Sequence, residues 1–233
     1  MKKALVTGGT RGLGAAISAR LRDAGYQVTV TGTSPRGTAP RGCLYLQCDF
    51  ADLDQVEAAS RHAARMRLSV LVNNAGINRV APVQELAPAD YREVQQVNVE
   101  APFRLCAAVL PGMRRRRYGR ILNITSIYGV VSCPGRAAYS ASKFGLLGLS
   151  RAMALEAAAD NVLVNCLAPG FIDTDLTRRV LGAKGMRLAA SRVPLRRLAK
   201  PDEIARFAAF LVGTENSYAT GQNFVVDGGY TSA

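Results

Sequence analysis

Tyr139 and Lys143 stand four residues apart in the segment YSASK, and on an α-helix that spacing sets a phenol and an ammonium on one face. A free tyrosine titrates near pH 10, too high for ready proton exchange at neutrality, and a fixed positive charge beside it favours the phenolate. A unit charge ~4 Å away at an effective dielectric of ~20 is worth about 4 kcal/mol, or about three pKa units. The pair is a candidate acid/base device. Tyrosine and lysine at this spacing equally make a plain surface contact, so their meaning depends on what the rest of the chain places around them.

A second stretch with chemical potential is TGGTRGLG, Thr7 to Gly14. It follows the apolar run KALVT and precedes Ala15, Ala16, Ile17, Ala19 and Leu21, which recur at helical spacing. Strand, glycine turn and helix in that order are the setting of a phosphate-binding loop. Gly8, Gly12 and Gly14 do not follow the GxGxxG pattern, but the physical task is the same. Glycine permits the tight turn and lets backbone N–H groups at the helix N-terminus approach a pyrophosphate. An ordinary strand-to-helix turn explains the segment alone equally well.

The end of the second strand, QVTVT, bears on cofactor type. Dinucleotide sites of this architecture that take NAD place an acid there for the ribose hydroxyls, whereas NADP sites place groups that accept a phosphate. Here Gly32, Thr33 and Ser34 follow without a carboxylate, and Arg11 lies in the glycine loop. Hydroxyls with an arginine favour NADPH. Arg36 is a further candidate for the phosphate, with a solvated loop arginine as the preferred reading.

The elements that must position these groups are legible in order. Leu44 to Gln47 reads as a third strand, and Asp52 to Met66 as a helix with Asp52 as N-cap. Leu68 to Val72 reads as a fourth strand running into Asn73-Asn74-Ala75-Gly76. From Pro88, a favoured first-turn residue, one helical pattern continues to the run Arg114 to Arg117. Arg120 to Thr125 is a fifth strand leading to Ser126, and residues 135–159 a long alanine-rich helix that carries YSASK. Val162 to Leu167 is strand six, Pro201 to Val212 a helix, and Asn223 to Val226 the last strand. Continuous apolar strands alternating with helices predict one α/β domain over residues 1–233, a Rossmann-type doubly wound parallel sheet of about seven strands with helices on both faces. Residues 170–193 interrupt the alternation after strand six. Ligands bind beyond the carboxyl ends of strands in such sheets, so this segment reads as a lid.

Composition narrows the setting. At 233 residues and 48% hydrophobic content the chain can bury a sizeable core. It shows no apolar run near membrane length and no signal peptide, and its five cysteines are odd in number and scattered. A cytoplasmic protein with reduced thiols is expected. The net charge of +13 admits polyanions, a phosphorylated cofactor or an acidic carrier protein as partners, and a coding bias towards arginine gives the same figure. No aromatic-rich basic motif accompanies it, so neither nucleic acid nor membrane is the expected partner. His62, the one histidine, sits among alanines and arginines and reads as structural. The cysteines read as small buried hydrophobes, and no residue cluster predicts a metal.

Taken together, these motifs resemble the short-chain dehydrogenase/reductase family over essentially the whole chain. TGGTRGLG is similar to its TGxxxGxG loop, Asn73 to Gly76 to its NNAG motif, and Asn98 to its helix-four asparagine. Ser126, Tyr139 and Lys143 are similar to its Ser/Tyr/Lys set, and Pro169-Gly170 to its PG motif. The resemblance implies that Tyr139 protonates a ketone oxygen as hydride reaches the carbon, and that Ser126 holds that oxygen. Lys143 would lower the tyrosine pKa and bind the nicotinamide ribose, and Asn98 would hold a water linking the lysine to solvent. Asp49 would meet adenine with Phe50 adjacent through its backbone, although a structural turn explains both. Thr10, Arg11 and Leu13 would join the loop glycines, and Asn74, Ala75 and Gly76 the adenine-ribose side. Pro169, Gly170, Ile172 and Thr174 would face the nicotinamide carboxamide, with lid packing as the alternative for Ile172.

Within the family, GFIDTDLT, the stretch Val193 to Ala205 and the closing TGQNFVVDGGY are most similar to 3-oxoacyl-acyl-carrier-protein reductases. This implies reduction of a 3-oxoacyl thioester, with an acyl carrier protein as a possible partner and a homodimer or homotetramer built on the long helices and the last strand. A free alcohol, sugar or polyketide-type ketone is the alternative substrate. The subgroup is often basic after the catalytic helix, where this chain has Asp160 and Asn161. That departure favours a specialised or free-ketone substrate. An NADPH-binding regulatory protein with a basic, nucleic-acid-binding face is the non-enzyme alternative, and the intact Asn/Ser/Tyr/Lys set argues against it.

Overall fold

The computed structural model describes residues 1–233, apart from the side chain of Leu176. Seven parallel strands form one sheet: β1 (Lys3–Val6), β2 (Gln27–Gly32), β3 (Leu44–Gln47), β4 (Val70–Asn73), β5 (Gly119–Ile124), β6 (Val162–Pro169) and β7 (Asn223–Val226). Their order is β3-β2-β1-β4-β5-β6-β7. After β1 the chain builds outwards through β2 and β3, then crosses back so that β4 pairs with the other side of β1, Ala4 against Val70 and Val6 against Val72. The gap between β1 and β4 is the topological switch point, where open α/β sheets take their ligands.

Side chains alternate across the sheet and need cover on both faces. Strands β4, β5 and β6 are buried along their whole lengths. On one face Leu5, Leu71, Ile121 and Val164 pack against α2 (Leu53–Arg65), α4 (Ala101–Arg115) and α5 (Ala137–Ala157). On the other, Ala4, Val6, Val70, Val72 and Leu122 pack against α1 (Gly12–Asp23) and α7 (Pro201–Val212). Asp52 caps α2, its carboxylate accepting from the backbone N–H groups of Asp54 (2.9 Å) and Gln55 (3.2 Å).

The helix expected to run unbroken from Pro88 is interrupted. α3 (Pro88–Gln95) and α4 are joined by a π-helical turn, Gln96–Glu100. The wide turn takes in one extra residue, so the apolar pattern skips a position there; such bulges are frequent at functional sites. The segment 170–193, expected as a lid, contains a helix, α6 (Asp175–Arg192), kinked at Gly182, whose φ of 62° lies in the left-handed region. Buried Ala189 and Val193 anchor its end.

Because every strand runs the same way, the sheet has two chemically different edges. Thr7, Asn74, Thr125 and Gly170 follow strand ends at one edge. The arginine run precedes β5 and therefore lies at the opposite edge of the same protomer. It is partly neutralised there: Arg114 Nε donates to Asp160 at 2.6 Å, Arg117 stands 3.6 Å from the same carboxylate, and Arg116 donates to the carbonyl of Leu68. Asp160, the departure noted in the sequence, partners this run.

Candidate active site

Ser126 follows the end of β5 in extended conformation, and its Oγ caps a short 3₁₀ turn by accepting from Tyr128 N–H at 3.2 Å. That turn brings the hydroxyl to the first turn of α5, where it favours the ionised form of the Tyr139 phenol. One turn further on, Lys143 is 4% exposed; its Nζ donates to the carbonyl of Ile124 at 2.9 Å and sits 5.4 Å from the Tyr139 ring centre. The phenol and the ammonium share a helix face as their spacing requires.

Their electrostatics differ from the simple expectation. Burial pushes the Tyr139 phenol above its ordinary value, against the opposing pull of the Ser126 hydroxyl and the Arg136 cation. Burial also pushes Lys143 down, to about 8. Desolvation is the largest influence on the phenol, ahead of the Ser126 hydroxyl and the Arg136 cation, while the Lys143 ammonium donates to a carbonyl.

Asn98 is supplied by the π turn. It is buried, with Nδ2 donating to Ile77 O (2.9 Å) and to Ser142 Oγ (3.0 Å) while Oδ1 accepts from Ile77 N–H (2.9 Å). Both ends of the amide are read by one residue's backbone, which fixes its orientation. A Cβ on Gly76 would stand 3.2 Å from Asn98 Oδ1 and 3.6 Å from Lys143 Nζ, so only a glycine backbone threads comfortably between them. Ser142 passes the link on, donating to the carbonyl of Tyr139 at 2.7 Å. This serine inside YSASK is a positioning residue not singled out from the sequence; its hydroxyl, three residues after Tyr139 on a helix, was the available signal.

The glycine loop lies across the switch point. Gly8 (φ 61°) and Gly12 (φ 55°) hold left-handed backbone, and Gly8 N–H donates to Thr31 Oγ1 at 3.0 Å. Arg11 occupies the N-cap of α1 in extended conformation, exposed, and no side chain caps the first-turn amides. Buried Leu13 roots the helix in the core. Thr7 ties the loop to the NNAG segment. Its Oγ1 accepts from the N–H groups of Asn74 and Ala75, both at 2.9 Å, and Asn74 Nδ2 returns hydrogen bonds to the carbonyls of Thr7 and Gly8. Thr7 is a second positioning residue missed in the sequence, where it reads as the last residue of a strand.

Thr10 lies beside Gly32, and Thr33 and Ser34 continue beyond β2, exposed. Asp49 is partly exposed after β3 and accepts from Ala51 N–H, while Phe50 is buried in the core with its carbonyl taking Gln96 Nε2. Pro169 ends β6, and Gly170 is pressed against Asp227, where a Cβ would meet Cα at 2.7 Å. Ile172 packs on the α1/α7 core and bridges to Ala199, the packing role rather than an open face. Thr174 caps α6 by accepting from Thr177 N–H at 3.2 Å, and its methyl lies 3.6 Å from the Cβ position of Gly12. α6 thereby starts directly over the glycine loop. His62 is exposed on α2, and no group of three metal-ligating side chains occurs among the described residues.

An uncapped helix start behind left-handed glycines, hydroxyls and an arginine instead of a carboxylate after β2, and an acid/base cluster beyond β5 fit a phosphorylated pyridine dinucleotide laid across the switch point. Fold and site together define a dinucleotide-dependent oxidoreductase. The family model described as enoyl-(acyl carrier protein) reductase matches residues 8–231. The chain is 37% identical to the 3-oxoacyl-[acyl-carrier-protein] reductase FabG of Vibrio cholerae, over 98% of this chain and 96% of that protein. It is also 37% identical to the acetoacetyl-CoA reductase of Shinella zoogloeoides, over 97% of each. The solved structure of ElxO with NADP bound superposes with a TM-score of 0.91 at 26% identity, covering 100% of this chain and 99% of that one. The chain belongs to the short-chain dehydrogenase/reductase family.

Proposed function

We propose that this protein is an NADPH-dependent ketoreductase that converts a 3-oxoacyl thioester or related β-keto substrate to its 3-hydroxy product. The observation that carries the reading is the convergence of Ser126, Tyr139, Lys143 and Asn98 beside the glycine loop, in a chain similar over its whole length to reductases of such thioesters. The bound cofactor supplies the hydride. Ser126 Oγ–H donates to the ketone oxygen, and Tyr139 Oη–H gives the proton that completes the alcohol. Lys143 keeps one donor on Ile124 O and offers its others to the nicotinamide ribose. Asn98 holds the backbone at Ile77, beside Gly76 and Lys143. Arg11, Thr33 and Ser34 take the 2'-phosphate, and α6 covers the bound pair.

An acyl carrier protein or CoA presents the thioester. Exposed Phe103, Phe144 and Leu155 on α4 and α5 support pairing of copies into a homodimer or homotetramer. No helix among the described residues is long and apolar enough to cross a membrane, and the free cysteines suit the cytoplasm.

Loss of NADPH absorbance with acetoacetyl-CoA and a panel of plain ketones tests the reading; no turnover with any of them would refute it. In the same assay Arg11→Ala is expected to raise the KM for NADPH by about 10- to 100-fold, the worth of one charge-assisted hydrogen bond, and to leave NADH nearly unaffected. Equal losses for both cofactors would mean that Arg11 does not read the 2'-phosphate. The pH profile carries a third expectation. Lys143 titrates at about 8 in the folded protein, below its ordinary 10.5, so the ammonium is present below that point and lost as pH rises through it. kcat/KM for NADPH is expected to fall tenfold per pH unit above about 8. A profile level into the ordinary lysine range would remove Lys143 as its cause.

A further inference from the structure

Three residues before Tyr139, Arg136 occupies the N-cap of α5 and is partly exposed. Its guanidinium carbon lies 5.7 Å from the ring centre of Tyr128, and the Tyr128 and Tyr139 rings meet edge to face at 6.4 Å. Arginine, Tyr128 and the reacting phenol therefore form one wall of the cleft. Phe171 continues the wall, 6.5 Å from Tyr128. The backbone of this wall is fixed: the Arg136 carbonyl accepts from Ser140 N–H at 2.7 Å, and the neighbouring Gly135 carbonyl accepts from Ala81 N–H.

What Arg136 lacks is a counter-ion. Many surface arginines of this chain reach carboxylates, among them Arg20 with Asp202, Arg79 with Glu93, Arg178 with Asp173 and Arg197 with Glu203. Arg136 makes no ion pair and no side-chain hydrogen bond among the described residues, so its five donors are unmatched while its guanidinium lies beside Tyr128. A guanidinium in that condition matches a carboxylate in charge and in planar geometry. Its field also reaches both phenols of the wall and opposes their burial.

We infer that Arg136 is a specificity-determining residue that binds an anionic group on the substrate, and that the preferred substrates include keto acids with a carboxylate within a few bonds of the ketone. The inference rests on the ketoreductase reading and adds to it the charge of the substrate. In the complex the carboxylate takes the guanidinium while Ser126 and Tyr139 take the ketone oxygen, so the two ends of a short keto acid fix which carbonyl is presented for reduction.

Acetoacetate and methyl acetoacetate separate the two layers, since they share a ketone and differ in charge. The wild-type protein is expected to prefer acetoacetate over its ester by at least about tenfold in kcat/KM, the discrimination typical of a charged hydrogen bond. Arg136→Gln is expected to reduce that ratio to near unity, and Arg136→Lys to restore part of it through KM. A wild-type protein that reduces ester and acid alike, or an Arg136→Gln variant that keeps the preference, overturns the inference and leaves the ketoreductase reading standing. Failure to reduce either of them, together with acetoacetyl-CoA and plain ketones, overturns both.

Discussion

Tyr139→Phe is expected to lower kcat by about 10²- to 10⁴-fold, the range that a positioned acid/base group contributes. The variant removes one oxygen and leaves the ring on its neighbours: Tyr128 edge-on at 6.4 Å and Lys143 Nζ at 5.4 Å from the ring centre. The remaining architecture therefore persists. Ser142 still bonds the backbone carbonyl of residue 139, and Lys143 still donates to Ile124 O. NADPH titration should accordingly give an affinity within about tenfold of wild type, since at most one hydrogen bond is lost. Stopped-flow or steady-state rates with acetoacetyl-CoA check the first half, and cofactor fluorescence the second. A variant as active as wild type would place the proton donor elsewhere in the cleft.

Gly14→Ala is the second large effect, and its cause is spatial. A Cβ on Gly14 would lie 2.3 Å from the carbonyl oxygen of Gly8 and 2.6 Å from Asn74 Nδ2. The first obstacle is backbone, held in place because that oxygen accepts from Asn74 Nδ2 and Gly8 N–H is tied to Thr31. A flexible side chain can rotate away; this oxygen can move only with the loop. Relief requires either α1 to retreat from the glycine loop or the loop to let go of Asn74, and each spoils the cradle of amides at the helix start. The expected result is a loss of NADPH affinity of at least about 100-fold together with destabilisation of about 1–3 kcal/mol, the usual cost of overpacking. For a chain of this size that is a fall in Tm of several degrees, at about 2–4 °C per kcal/mol. Thermal melts and cofactor titration check both parts. Unchanged binding would mean that the loop yields without cost and is not the pyrophosphate cradle.

The two variants show which parts of the molecule are legible from sequence. Strand after strand was readable because a parallel sheet buried on both faces leaves largely apolar runs, as in Val70-Leu71-Val72 and Ile121 to Ile124 before Ser126. The glycine loop and YSASK were readable because their chemistry is local: the residues that act together are at most seven apart in the chain. Three things were not. Desolvation of Tyr139 and Lys143 depends on what covers them, and charge spacing alone predicts the opposite shift for the phenol. Thr7 and Ser142 join segments that are distant in sequence, Ala75 being 68 residues from Thr7 and Asn98 44 from Ser142. The sidedness of the arginine run follows only from all seven strands running parallel, which places the start of β5 away from the cleft of its own protomer.

The π turn at Gln96–Glu100 ties two properties to a single residue count. Each residue of an α-helix advances the chain by about 100° around its axis, so the additional residue sets the phase of everything that follows. α4 keeps Leu105, Cys106, Val109 and Met113 inward only in that phase, and Asn98 meets Ile77 and Ser142 only while the turn stays wide. Deleting one residue there would regularise the helix and at once rotate its apolar stripe out of register with the core. The asparagine of the site is thus locked to the folding of a whole layer, and point substitution is the available route by which this segment can vary without unmaking the protein.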